Sequence, residues 1–193
     1  MNLHECQALL AGSLAGTRCN ALEGSPLWHT GQSVLRMASA YESDGRTFMT
    51  GEDPVNAMAA FLYGLGWLHC GIASGLLVRQ EARNICPFTG TFERVPVDQS
   101  AKLDEKTGRY AHLLTTAIDS VSTAPYRGTP AHAFAVQVTF IAGVYLARGN
   151  RVASDGSLEE ALACFSYGHG WIDAGVQAGL FSIHAHHEIF TVD

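Results

Sequence analysis

Residues 57–76 read AMAAFLYGLGWLHCGIASGL, and residues 161–180 read ALACFSYGHGWIDAGVQAGL. The two stretches are one segment written twice. Their tryptophans stand at 67 and 171, so the offset is 171 − 67 = 104. Upstream the same offset pairs Tyr41 with Tyr145, Gly45 with Gly149, Ala38 with Ala142 and Val34 with Val138. It also pairs Gly24-Ser25-Pro26 with Gly128-Thr129-Pro130, and Leu9-Leu10 with Leu113-Leu114. A phase shared over that length marks a tandem duplication, and the architecture can be argued from one copy.

Each copy reads as three helices. Apolar residues at three- and four-residue steps predict a first helix over about 3–21 and 105–123. A second is predicted over about 26–49 and 130–152, opened by a hydroxyl N-cap before a proline whose missing N–H would be unpaired anyway. The third is predicted over about 54–82 and 158–187, with Asp53 as a cap and Ser157 with Glu160 as a capping box. Between the units, residues 84–100 (NICPFTGTFERVPVDQS) carry Pro87, Gly90 and Pro96 and no helical period. This stretch reads as a linker, with a short extended piece near Val95 and Val97. It divides the chain into a first unit, 1–83, and a second, 101–193. The expected fold is all-α: two tandem three-helix units packed as a pseudo-twofold six-helix bundle. Two separate beads on the linker are the alternative.

Gly64, Gly71 and Gly75 fall on one face of the third helix, and Gly168, Gly175 and Gly179 repeat them. A helical glycine costs about 1 kcal/mol relative to alanine. Keeping three per copy predicts that another backbone approaches there, so the third helices are expected to cross through these glycines, with Trp67 and Trp171 sealing the core.

Composition narrows the function. Only 16 % of residues are charged and 47 % are apolar, against a usual charged share of about a quarter. A surface poor in charge predicts a homo-oligomer or a protein partner. A formal charge of −6 without a basic stripe argues against nucleic acid. Five cysteines with no CxxC spacing argue against a disulfide framework or zinc knuckle and fit a reducing cytoplasm. The start has Glu5 and no Lys or Arg ahead of its apolar stretch, and reads as a poor secretory leader. No uninterrupted apolar run is read as long enough for a bilayer, so no membrane is expected.

The pattern Tyr41-x-Ser43-Asp44-x-x-x-Phe48, Gly51-Glu52-Asp53, Ala57-x-x-x-Phe61 and Gly66-Trp67-Leu68-x-x-Gly71 resembles the archaeal domain of unknown function 357. The second copy resembles it through Gly170-Trp171-Ile172-Asp173-Ala174-Gly175, but Ala147-Arg148 replace Ser43-Asp44. The resemblance implies an archaeal cytosolic protein built from small three-helix domains. It implies no activity and no catalytic residues.

Candidate chemistry is sparse. His169 and Asp173 stand four apart on one helical face, where the first copy has Leu65 and His69. Such a pair suits a general base with its orienter, or two metal ligands. A site here would join His69 of one unit to His169 and Asp173 of the other, beside Trp67 and Trp171. A buried hydrogen-bonded pair at a helix seam is the plainer alternative. At the C-terminus, His184 with His187 or Glu188 would share a helical face able to bind zinc or nickel; a solvated helix end is the alternative. GxSxG, HExxH and phosphate-cradling glycine loops are missing from the sequence, and no cofactor is expected. Whether the protein is an enzyme stays open. The leading expectation is a non-catalytic interaction or assembly module, a homodimer. A small-molecule or metal-binding protein with a His/Asp site between the third helices is the alternative, and RNA binding through a helical face is disfavoured by charge.

Overall fold

The computed structural model describes residues 1–80, 88 and 91–191. The first unit runs α1 (Leu3–Ala15), β1 (Thr17–Cys19), α2 (Pro26–Thr50), α3 (Pro54–Ala73) and β2 (Leu77–Arg79). The second runs α4 (Ser100–Asp119), β3 (Val121–Thr123), α5 (Pro130–Ser154), α6 (Leu158–Gln177) and β4 (Phe181–Ile183). The protein is all-α, with six helices among the described residues. Helices α3 and α6 make the most extensive contact in the molecule and are buried along nearly their whole length. They form its centre, and each is flanked by the other helices of its own unit.

The expected caps of α2, α3 and α5 form. Ser25, Asp53 and Thr129 accept from the backbone N–H groups of Trp28, Asn56 and His132, each with proline next in the chain. The expected capping box at Ser157 does not form. Both nearby carboxylates are engaged elsewhere. Glu159 accepts from the Val95 N–H at 3.0 Å, and Glu160 holds Arg148 at 2.7 Å. A capping box appears instead at Asn2 and Glu5.

The third helices are shorter than their periodicity suggests, and so is α1, while α4 ends early at Asp119 but begins at Ser100, ahead of the expected 105. Helix α3 ends at Ala73 and α6 at Gln177. Gly75 and Gly179 do not lie on a packed face; they carry φ of +78° and +71° and turn the chain out of the helix. The apolar residues beyond them form strands. β1 pairs antiparallel with β2, with Thr17 opposite Arg79 and Cys19 opposite Leu77; β3 pairs with β4, with Val121 opposite Ile183. Each ribbon ties the end of a unit's first helix to the end of its third. A three-residue strand is too short to register against a helical period when only apolar spacing is read.

The glycine expectation is right in kind and wrong in place. A Cβ on Gly64 would meet Tyr41, Leu10 and Ala38, and one on Gly71 would meet Leu77 and Val34. All of these belong to the same unit, and Gly168 and Gly175 behave alike in the second. Backbone meets backbone two residues further on, on the opposite side of each helix, at Gly66 and Gly170. A Cβ on Gly66 would collide with the Tyr167 carbonyl and lie 3.1 Å from the Gly170 Cα. A Cβ on Gly170 would collide with the Tyr63 carbonyl and lie 3.1 Å from the Gly66 Cα. The reciprocity places the pseudo-dyad between these two residues.

In the stretch read as a linker, residues 84–87, 89 and 90 lie outside the described part. Phe88 is buried, 91–96 are irregular and Val97–Gln99 form a 3-10 turn. The connector holds both units. The Glu93 N–H donates to the Met1 carbonyl in the first, and the Val95 N–H donates to Glu159 in the second. Lys102 of α4 adds an ion pair to Asp53 at 2.6 Å.

Two helices, α3 and α5, are long and apolar enough to cross a membrane by length and composition, which corrects the reading that no run reaches that length. Helix α3 is 83 % buried along its apolar window and is the core helix of a folded domain. Helix α5 is 17 % buried there: Ala135, Val138 and Ala142 face the core, while Val136, Phe140 and Val144 face outward.

Candidate functional site

The dyad arranges the candidate polar residues in two separate clusters. Positions 69 and 173 correspond under the 104-residue offset, as do 63 and 167. His69 Nδ1 lies 2.8 Å from the Tyr167 hydroxyl. On the other side, the Tyr63 hydroxyl donates to the Asp173 carboxylate and sits 3.2 Å from Thr191 Oγ1. Each unit's position-69 residue therefore reaches across the dyad to the other unit's tyrosine. His169 joins only the second cluster, with its Nε2 3.7 Å from Asp173 Oδ1. The expected union of His69 with His169 and Asp173 does not occur, because the dyad sets the two clusters apart.

The electrostatics are those of a dry seam. Asp173 is fully buried. Burial raises its pKa, while the neighbouring His169 and the hydrogen bonds from Tyr63 and Thr191 pull the other way. Burial, then the Asp173 charge, pushes the Tyr63 phenol well above its ordinary value. His69 is pushed down to about 4 by burial and by the charge of Arg79, so it is neutral at pH 7. Thr191 also donates its backbone N–H to Asp173 at 3.2 Å, bringing the C-terminal segment onto the cluster. Two polar atoms here lack a hydrogen-bond partner: His169 Nε2 and Asp173 Oδ1.

Next to this cluster lies a cavity of about 340 Å³ between α2, α3 and α4. Tyr41, Tyr63 and Asn56 form one wall, Lys106 and Tyr110 the other, and His169 reaches in from α6. Ile189 and Thr191 close one side, and Asp44 stands at the exposed edge. Asp173 is behind this lining. His169 and Tyr63 are the members of the buried cluster that face the cavity.

Trp67 and Trp171 are buried core residues whose indole N–H groups make no hydrogen bond. Neither lines this cavity. The C-terminal histidines do not share a helical face, since α6 ends at Gln177. His184 follows β4, while His187 and Glu188 begin a 3-10 turn after His186, whose φ is +52°. Glu188 approaches His186 at 3.3 Å. Among the described residues no group of three or more His, Cys, Asp or Glu is placed to hold a metal ion.

With this geometry in view, the comparisons are informative about family. The profile described as "Protein of unknown function (DUF357)" matches residues 7–77 and again 109–181. The chain belongs to the DUF357 family. It carries that domain twice, as the tandem repeat predicts. No curated protein matches, and no solved structure matches.

Against the DUF357 matches, the cavity spans both copies. Tyr41 and Tyr63 come from the first domain and His169 from the second, while Lys106 stands just ahead of the second match. The sequence singles out His169 and Asp173, while Tyr41 stands out there only as a matched repeat position and Lys106, Tyr110 and Asn56 carry no signal of a site. One signal was available. Leu65 in one DUF357 copy becomes His169 in the other, and a polar replacement at a buried repeat position marks where the copies have diverged in use.

Proposed function

We propose that this DUF357 protein is a non-catalytic assembly module that pairs with a second copy of itself through α5, in the cytosol of an archaeal cell. The observation that carries this reading is the outer face of α5. Ala133, Val136, Phe140 and Ala147 are exposed, with Gly143 and Val144 between them. Steps of three and four give a heptad seam. A Cβ on Gly143 would meet nothing within 4 Å. Residues 131–147 contain no Asp, Glu, Lys or Arg.

The first copy serves as an internal reference. The same positions on α2 hold His29, Gln32, Arg36, Ser43 and Ser39 with Ala40. One fold position is therefore polar in one unit and apolar in the other, and no requirement of the fold asks for an apolar face there. A second copy suits the stripe. In an antiparallel pair centred on Phe140, Val136 lies opposite the partner's Val144 and Ala133 opposite the partner's Ala147. Small residues let the helices approach, and no charges are desolvated. Phe140 and Tyr126 are 69 % and 89 % exposed, and each ring covers about 150–250 Å². With the aliphatic residues, roughly 600–800 Å² per copy would be covered, near the lower edge of a standard interface. A bilayer suits it less, since the stripe lacks cations and the chain carries −6. A reducing compartment is supported by Cys6, Cys70 and Cys164, free thiols in the core; burial pushes Cys6 and Cys164 up to about 12.

Light scattering on the full chain tests this. Wild type is expected at twice the chain mass, and Phe140→Arg, which installs the residue that α2 carries, at the chain mass. Leu22→Ser, an equally exposed apolar residue before α2, is expected to leave the dimer intact. A monomeric wild type, a dimer indifferent to Phe140→Arg, or a monomer that sediments with neutral phospholipid vesicles through Phe140 would each overturn the proposal.

A further inference from the structure

The duplicated fold supplies its own comparison for the cavity beside His169. Tyr41 and Tyr63 meet edge to face at 4.4 Å and 63°; Tyr145 and Tyr167 repeat the arrangement at 4.5 Å and 62°. In the second unit the space beside the tyrosine pair is filled. The Phe88 ring packs 4.9 Å from Tyr145 and 5.5 Å from Tyr167, with the Arg148 guanidinium 5.0 Å from its centroid. The protein thus shows what a tyrosine pair of this geometry accepts: a single planar ring. In the first unit the His169 ring stands edge to face 5.5 Å from Tyr63, and among the described residues no ring lies against both tyrosines. A cavity of about 340 Å³ is found there instead, within the range of small-molecule sites.

The differences between the two spaces define the chemistry. Where the Phe88 side has Leu65 at the equivalent buried position, the open side has His169, 5 % exposed, its Nε2 turned to Asp173 Oδ1 at 3.7 Å and its ring in the cavity lining. A polar substituent on an occupant would give the imidazole a hydrogen-bond partner, which a leucine at this position could not use. Where the Phe88 side has Arg148, the open side has Asp44. A carboxylate repels the electron-rich face of a ring but favours a hydroxyl or amino group.

We propose that the cleft between α2, α3 and α4 binds a small single-ring aromatic compound carrying a hydroxyl or amino group, its ring against Tyr41 and Tyr63 and its polar group at the His169 imidazole. Lys106 and Tyr110 form the opposite wall, with the Lys106 ammonium 5.5 Å from the Tyr110 centroid. Asp173 holds Tyr63 from behind and is a positioning residue. The site is separate from the α5 face, so its occupancy does not depend on the oligomeric state.

The test is a titration of the full chain with phenol, benzylamine, toluene and N-acetylphenylalanine amide, read by the His169 ring and Tyr63 NMR signals. Phenol or benzylamine is expected to shift both signals saturably below about 5 mM, an affinity within reach of a fragment this small. Toluene is expected to bind at least about tenfold more weakly, for want of a group to hydrogen-bond the His169 imidazole. His169→Leu, the residue of the other copy, is expected to abolish the preference over toluene. Ala60→Met, a cavity-filling change at the lining that leaves the polar cluster alone, is expected to abolish all binding, so loss does not depend on one variant folding. Failure of both phenol and benzylamine to saturate, equal binding of toluene, or unchanged binding in folded Ala60→Met overturns the proposal. So does binding of the capped phenylalanine alone, which would make the cleft a receptor for a protein side chain.

Discussion

Gly66→Ala is expected to destabilise the protein by about 3 kcal/mol, and Gly170→Ala by a similar amount. The added carbon meets a carbonyl and a Cα of the crossing helix. Backbone in the middle of two buried helices cannot step aside as a side-chain tip would. Helix propensity alone predicts the opposite sign, a gain of about 0.5–1 kcal/mol for replacing a helical glycine. Gly108 on α4 provides the contrast. It is exposed, and a Cβ there meets nothing within 4 Å, so Gly108→Ala is expected to stabilise by up to about 1 kcal/mol. Urea unfolding of the three variants measures all of this. A neutral or stabilised Gly66→Ala would mean the helices are not in contact where the structure puts them.

The second large effect is a loss of stability in weak acid. His69 titrates at about 4 in the folded protein against an ordinary 6.5. Between those values the unfolded chain binds more protons, so stability falls as pH drops from about 6.5 towards 4. It is fully present above 6.5. A shift of that size corresponds to at most about 3 kcal/mol, with about 2 kcal/mol lost by pH 5. Asp173 acts in the opposite sense. Its folded pKa is raised, so its contribution is fully present below the ordinary aspartate value and is lost as pH rises through the folded one. Denaturant midpoints at pH 7 and pH 5 are therefore expected to drop for wild type. In His69→Gln the drop is expected to vanish or reverse, exposing the Asp173 contribution. A midpoint with the same pH dependence in wild type and in His69→Gln would show His69 to be solvated.

The duplication, the helix count and three of the caps were legible in the sequence because each rests on neighbouring residues or on a repeat period. The ribbons were not. Leu77–Arg79 and Phe181–Ile183 continue the apolar spacing of the helices before them, and only the positive φ at Gly75 and Gly179 separates strand from helix. A glycine on a helical face and a glycine ending that helix look alike in a string of letters. The crossing was misassigned for a related reason. Gly64, Gly66 and Gly71 are all helical, and which of them faces the other unit depends on how two units dock, which no local pattern encodes. The site was half legible. His169 and Asp173 stood out as polar residues in an apolar helix. Their true partner Tyr63 lies 110 residues from Asp173, and the cavity that His169 borders owes two walls to α2 and α4. The exposed face of α5 was hidden in a different way, since the apolar residues of a helix do not say which of them a core has claimed.

The crossing at Gly66 and Gly170 carries one more implication. A half-length ancestor with a single copy of that glycine could have closed the same contact only by meeting its twin, so the present chain is read most simply as two subunits joined end to end. Before joining, every inherited change struck both sides of the axis at once. A histidine that improved one flank would have been imposed on the other. Afterwards the halves could specialise, and position 69 with position 173, 65 with 169, and 36 with 140 are where they did. One gene acquired the freedom of a heterodimer without having to find its partner.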